Sequence, residues 1–341
     1  MNKEFLTVQT PGKLILSGEH AVLHGHPALA MAVNRYMQAT ARWTSPFHFS
    51  FNLMGIHFKQ RATLHALRKL KTRLVEKYHQ HQLGFLSIRE VLQKPFELSL
   101  FTAINVLDRL KNKLPMGLDI ATESNIPIGC GMGSSAASVV SIVYALTQFL
   151  DMNVTLDDYI KLGIESENLQ HGHSSGLDVH TVYHGGCIRY ENGSGHARSI
   201  PQFPMMVVQT GRPYSNTGEC VAHTAAYFKN GSMGRDFAAI TNALEQALTA
   251  QTLPAIQECI RHNQCLLNHI GVVPAKVNAF ISEVEKRGAA AKICGAGSIA
   301  GDRAGIVLVV AEAEIDITAI VQQYGYTSMI VHSDTRGTHV I

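Results

Sequence analysis

Residues Ile126-Pro127-Ile128-Gly129-Cys130-Gly131-Met132-Gly133-Ser134-Ser135-Ala136-Ala137 constrain this chain more than any other stretch. Three glycines at alternate positions open backbone conformations closed to other residues, and Cα atoms without side chains let a polyanion reach the N–H groups. A long helix is predicted from Ser134 to about Asp151, so its free N–H groups and dipole add positive potential at the same point. Phosphate binding is the natural use of that chemistry. A tight glycine turn ahead of a core helix is the plainer alternative, and the residues alone leave it open. Two familiar nucleotide loops are excluded by spacing: no lysine precedes Ser134 as a Walker A loop requires, and a Rossmann fingerprint would open a βαβ unit and end Gly-x-x-Gly.

A chain of 341 residues that is 46% hydrophobic and 16% charged is too apolar to be disordered and too long to be a disulfide-stapled miniature. At roughly 100–200 residues per domain it is expected to form two domains. The pattern turns from strand-rich to helix-rich near 190–215, so the expected division is 1–190 and 191–341. A net charge of +3 is too small to predict nucleic-acid binding. The densest basic stretch, Lys59 to Lys77, carries Leu64, Leu67, Leu70 and Leu74 at helical spacing and reads as an amphipathic helix with a solvated basic face.

The six cysteines form no C-x-x-C pair, which fits a reduced, cytoplasmic setting. The stretch Met1 to Thr7 lacks the apolar run of a signal peptide. Ala136–Leu150, the most apolar segment, falls short of the ~18–20 residues that a membrane span needs. No nucleic-acid or membrane partner is expected, and a homodimer is left open.

Strands are expected at 13–17, 28–33 with 37–43, 117–122, 183–190, 196–200, 205–209 and 306–310. Helices are expected at 60–80, 96–112, 134–151, 156–170, 217–229, 234–250, 253–270 and 274–287. The helix at 156 follows Thr155-Leu156-Asp157-Asp158, a cap hydroxyl with a carboxylate three residues on. Asn192-Gly193 marks a hairpin turn.

Two further motifs flank the glycine-rich stretch. Pro11-Gly12-Lys13-Leu14-Ile15-Leu16-Ser17-Gly18-Glu19-His20-Ala21-Val22 lies near the N-terminus, and Lys292-Ile293-Cys294-Gly295-Ala296-Gly297 near the C-terminus. Together, in this order, the three motifs resemble those of the GHMP small-molecule kinases and span residues 11 to 310. Within that superfamily, Gly-Glu-His-Ala-Val is similar to the form found in mevalonate kinases. So is Glu167-Asn168-Leu169-Gln170-His171-Gly172-His173-Ser174-Ser175-Gly176-Leu177-Asp178, in which Ser174 replaces a proline.

The resemblance implies a two-domain α/β (α+β) fold with its site in the cleft, and transfer of the γ-phosphate of ATP to the primary hydroxyl of mevalonate. Gly129, Cys130, Gly131, Met132, Gly133, Ser134 and Ser135, with Gly295 and Gly297, would hold ATP. Mg²⁺ would sit on Ser135 and Glu167, since that ion takes few, hard oxygen ligands and completes its shell with phosphates and water. Asp178 would accept or orient the proton of the attacking hydroxyl, and Lys13 would lie beside it and offset charge on the nucleophile or γ-phosphate. Glu19, His20 and Thr217 would contact the acceptor alcohol. Read without the resemblance, Asp178 is a turn carboxylate, Ser134 a cap hydroxyl, Thr217 a helix N-cap and Lys13 a surface lysine. The third motif departs from the family, which commonly continues Gly-Ala-Gly-Gly-Gly-Gly. Here Ser298-Ile299-Ala300-Gly301-Asp302-Arg303 follows, and a stiffer, more charged loop is expected. His24, His26, His171 and His173 come as i, i+2 pairs without a cysteine or acidic quartet, so a zinc site is not expected.

Overall fold

In the computed structural model, residues 3–45, 48–110, 114–202 and 205–341 are described. Two sheets organise the chain. The first takes β1 (Phe5–Ser17), β2 (Ala28–Thr44), β3 (Phe49–Leu53), β4 (Phe58–Ala62) and β5 (Gly117–Ser124), in the order β1-β2-β5-β3-β4. Pairing is antiparallel except between β3 and β5. Between β4 and the Gly-rich loop come α1 (Leu64–Gln82), α2 (Glu97–Leu107) and β5, and after that loop come α3 (Ser134–Phe149), α4 (Leu156–His171) and α5 (Leu177–His184). Leucines, isoleucines and phenylalanines from α2 and α3 cover Phe49, Phe51, Leu118 and Ile120 of the sheet.

Cys187–Glu191 (β6) and Ser194–Arg198 (β7) form the hairpin expected at Asn192-Gly193, and β6 pairs with β2. A division after residue 190 would cut this hairpin. The strands change sheet between Arg198 and Met205, the start of β8 (Met205–Gly211). Four helices follow, α6 (Thr217–Phe228), α7 (Ser232–Thr249), α8 (Leu253–His269) and α9 (Ala275–Lys286), and then β9 (Ala290–Cys294), β10 (Gly305–Val310), α10 (Thr318–Gln323) and β11 (Thr327–Val331). The second sheet has the order β11-β8-β10-β9, all antiparallel. The last strand, β12 (His339–Val340), returns to pair with β1. One buried cluster joins Leu14, Leu16 and Met31 of the first sheet to Val207, Ile306 and Leu308 of the second, so the two halves share a core.

Most departures from expectation have a local cause. The helix expected from residue 60 begins at Leu64, because Thr63 caps it by accepting from the Ala66 N–H at 3.1 Å, and Phe58–Ala62 is an edge strand instead. Leu177–His184 is helical although Val, Thr and Tyr favour a strand. Gly176, left-handed at φ 92°, starts the turn, and Leu177, Val179, Thr181 and Val182 bury themselves there. The strand of this region starts only at Cys187. The helix expected over 96–112 ends at Leu107, and 111–112 lie outside the described residues, as do Met1 and Asn2. The Thr155/Asp158 capping box is present as expected. Among the described residues no helix is long and apolar enough to cross a membrane.

Candidate active site

A bulge at Pro11/Gly12 shifts the register of β1 against β2 and sets the start of the site. Just beyond it, the Lys13 N–H donates to the Met132 carbonyl at 2.9 Å. This contact ties the first motif to the Gly-rich loop. Gly129, Gly131 and Gly133 take φ of 68°, 94° and 72°, the left-handed region that the alternate glycines predicted. Two of them also admit close neighbours. A Cβ on Gly131 would lie 2.6 Å from the Cys294 carbonyl oxygen, and one on Gly133 would lie 2.7 Å from Lys13 Cγ. All three motifs therefore meet at this loop.

They enclose one cavity of about 1260 Å³. Lys13, Glu19, His20, Gly129, Cys130, Gly131, Gly133, Ser134, Ser135, Glu167, Asp178, Thr217, Gly295 and Gly297 all line it. Met132 does not: its side chain is fully buried in the core, and only its carbonyl takes part. Ser134 does not cap α3, whose first turn follows left-handed Gly133 without a side-chain cap. Its hydroxyl accepts from the Gly129 N–H at 3.3 Å and braces the loop across its width.

Lys13 is no surface lysine. Its side chain is 3% exposed, and its Nζ lies 3.0 Å from Asp178 Oδ1, at the start of α5. Across the loop, the Ser135 hydroxyl donates to Glu167 Oε2 at 3.0 Å. Glu167 is buried, and its other oxygen, Oε1, has no hydrogen-bond partner. An orphaned carboxylate oxygen beside a hydroxyl fits a hard cation that takes its remaining ligands from phosphate and water. Among the described residues, no group of three or more His, Cys, Asp or Glu is placed to hold a metal by itself. His171 stands one turn along α4, with Nε2 3.4 Å from both Ser135 Oγ and Glu167 Oε2. Burial opposes charging its ring, but the Glu167 and Asp178 carboxylates together outweigh burial and raise its pKa.

The acceptor side is built differently from expectation. Lys292, wholly buried on β9, pairs with Glu19 Oε1 and donates to the Ile15 carbonyl at 3.1 Å. Glu19 Oε2 is buried without a partner. Burial pushes the Glu19 carboxyl up even against the pull of Lys292. His20, at φ 60°, has both ring nitrogens engaged. Nε2 donates to the Ala296 carbonyl and Nδ1 accepts from the Thr224 hydroxyl, each at 3.1 Å. Burial lowers its pKa to about 4, so the ring is neutral near pH 7 and braces the first motif against the third. Thr217 is not the cap of α6. Asn216 is, accepting from the Glu219 N–H at 2.9 Å, which leaves the Thr217 hydroxyl out of the cap.

The loop that departs from the family is stitched down. The Ser215 N–H donates to Ser298 Oγ at 3.1 Å, the Ile299 N–H donates to Ser215 Oγ at 3.3 Å, and Thr210 bonds both Ala304 and Gly305. The charged residues Asp302 and Arg303 line the cavity, as expected.

Lys292, His171 and Asn216 were not anticipated as site residues. Lys292 alone carried a usable signal, because a single charge inside the apolar run Ala289-Ala290-Ala291-Lys292-Ile293 must find a buried partner.

Residues 100–186, which hold the Gly-rich loop, Glu167 and Asp178, match the family described as GHMP kinases N terminal domain. That stretch of the chain is a GHMP kinase N-terminal domain. The chain's similarity to a mouse (Mus musculus) mevalonate kinase is 29% identity, covering 90% of this chain and 87% of the relative. Two solved structures share the fold of this chain over almost its whole length. The Methanococcus jannaschii mevalonate kinase superposes with a TM-score of 0.78 at 20% identity, covering 98% of this chain and all of that one. A Lactococcus lactis galactokinase, solved with galactose, gives 0.76 at 16%, covering 99% and 95%. The fold alone does not choose between alcohols.

Proposed function

We propose that this chain transfers the γ-phosphate of ATP to the primary hydroxyl of mevalonate, giving 5-phosphomevalonate. The observation that carries this reading is one cavity in which the Lys13–Asp178 pair faces the Ser135–Glu167 pair across a loop of left-handed glycines. The choice of mevalonate rests on the mevalonate kinase relative, on the first motif and on Glu19, His20 and Thr217. A cytoplasmic setting belongs to the same proposal, as all six cysteines are free.

Backbone N–H groups of 129–135 and the start of α3 would receive the phosphates. Ser135 and Glu167 would hold Mg²⁺, which when bound neutralises charge on the phosphate oxygens. Asp178 would take the proton of the primary hydroxyl as it attacks, and the Lys13 ammonium would stabilise the developing negative charge. Most of the rate comes from positioning and fixed charge, because a loose phosphoryl transition state asks little covalent chemistry of the protein. The site would work in the cleft between the two halves of the chain.

Assays of ATP consumption against mevalonate, phosphomevalonate, galactose and homoserine test the reading. Turnover is expected with mevalonate alone or far above the rest. Turnover of another alcohol without mevalonate would reassign the substrate, and no turnover with any alcohol would favour a non-catalytic nucleotide-binding protein.

A further inference from the structure

We propose that His171 is a positioning residue for the metal-holding carboxylate: it fixes Glu167 so that its unpartnered oxygen is the one offered to the cation. This rests on the reading of Ser135 and Glu167 as the metal-holding pair. Glu167 and His171 lie one turn apart on α4, and the imidazole Nε2 stands 3.4 Å from the oxygen, Oε2, that already accepts from Ser135. The Ser135 hydroxyl and the imidazole therefore both sit on the Oε2 side of the carboxylate. Oε1 is left buried and bare.

The backbone that carries His171 is itself held from outside the helix. Tyr78 of α1 donates to the Gly172 carbonyl at 2.8 Å, Gly172 N–H closes the helix on Asn168, and the Asn168 side chain accepts from Ser174 N–H at 2.7 Å. A Cβ on Gly218 would lie 3.2 Å from the His171 carbonyl oxygen, so α6 closes against the same point. The basic helix α1, which the sequence suggested only as a solvated face, thus supports the back of the site. Groups that orient a metal ligand commonly change affinity by about 10–100-fold when removed. A carboxylate free to rotate would lose its aim without losing its charge.

The test uses the full chain, with Mn²⁺ as the probe cation and a non-hydrolysable ATP analogue. The dissociation constant of Mn²⁺ in the presence of the analogue is read by electron paramagnetic resonance, and analogue affinity is measured separately in chelator. For His171→Leu, Mn²⁺ binding is expected to weaken by about 10–100-fold, with metal-free analogue binding and melting temperature near wild type. His171→Gln, whose amide reaches the Nε2 position, is expected to recover most of the loss, and His171→Asn, which is too short, is not. Unchanged Mn²⁺ affinity in His171→Leu overturns the proposal, as does an equal loss of metal-free analogue binding. If His171→Leu does not fold, equal Mn²⁺ affinity in the Gln and Asn variants overturns it instead. Wild-type protein that binds the analogue equally with and without Mn²⁺ would remove the metal-site reading itself, a result distinct from these.

Discussion

Replacing Asp178 by asparagine is expected to lower kcat by about 10²–10⁴-fold, the range spanned by a positioned general base, with ATP affinity changed little. Asparagine keeps the shape of the side chain but neither accepts a proton from the attacking hydroxyl nor carries the charge that Lys13 faces at 3.0 Å. The glycine loop and the Ser135–Glu167 pair are on other elements, so nucleotide binding should survive. Steady-state kinetics with ATP and mevalonate, alongside a melting curve, separate the chemical loss from any unfolding. A variant with kcat within a few-fold of wild type would remove Asp178 from the reaction.

The second large effect is on stability. Lys292→Met is expected to destabilise the fold by about 3–5 kcal/mol at neutral pH, because it strands the Glu19 carboxylate in a buried site without its counter-ion. The pH dependence carries a definite sign. The Glu19 pKa is already raised by burial, and loss of Lys292 raises it further. A folded state with the higher pKa binds protons that the unfolded chain does not, so the variant gains stability as pH falls from 7 toward the ordinary carboxylate range. Urea unfolding at pH 7 and pH 5 reads this directly, with the gap to wild type narrowing at the lower pH. Glu19→Gln in the Lys292→Met background should recover much of the loss at pH 7. A single variant as stable as wild type at neutral pH would contradict the buried pair.

These effects also mark how far the sequence alone could be read. The Gly-rich loop was legible because left-handed backbone leaves its signature in glycine itself, and all three glycines take it. The capping box at Thr155 and the hairpin at Asn192-Gly193 were legible for the same reason, since each is written in residues within four positions of one another. Features that depend on distant partners were not. The strand expected over 183–190 starts only at Cys187, because Tyr183 and His184 close a helix from Leu177 that buries Val179, Thr181 and Val182. Nothing in their spacing says that Lys292 pairs with Glu19 across 273 positions of chain, or that the His20 ring reaches the Ala296 carbonyl across 276. The alternative reading of Thr217 as a helix cap misses by one residue, because Asn216 takes that position. The site residues came from motif resemblance, and their arrangement came from the fold.

The central claim is that the acceptor hydroxyl meets Asp178 while the phosphates lie on the glycine loop. A structure of the chain with mevalonate and a non-hydrolysable ATP analogue measures this in one step. The primary hydroxyl oxygen of mevalonate should stand ~2.6–3.2 Å from the Asp178 carboxylate, on the side facing the γ-phosphate. Mevalonate bound with its carboxylate or tertiary hydroxyl at Asp178, or phosphates lying away from residues 129–135, would contradict the account.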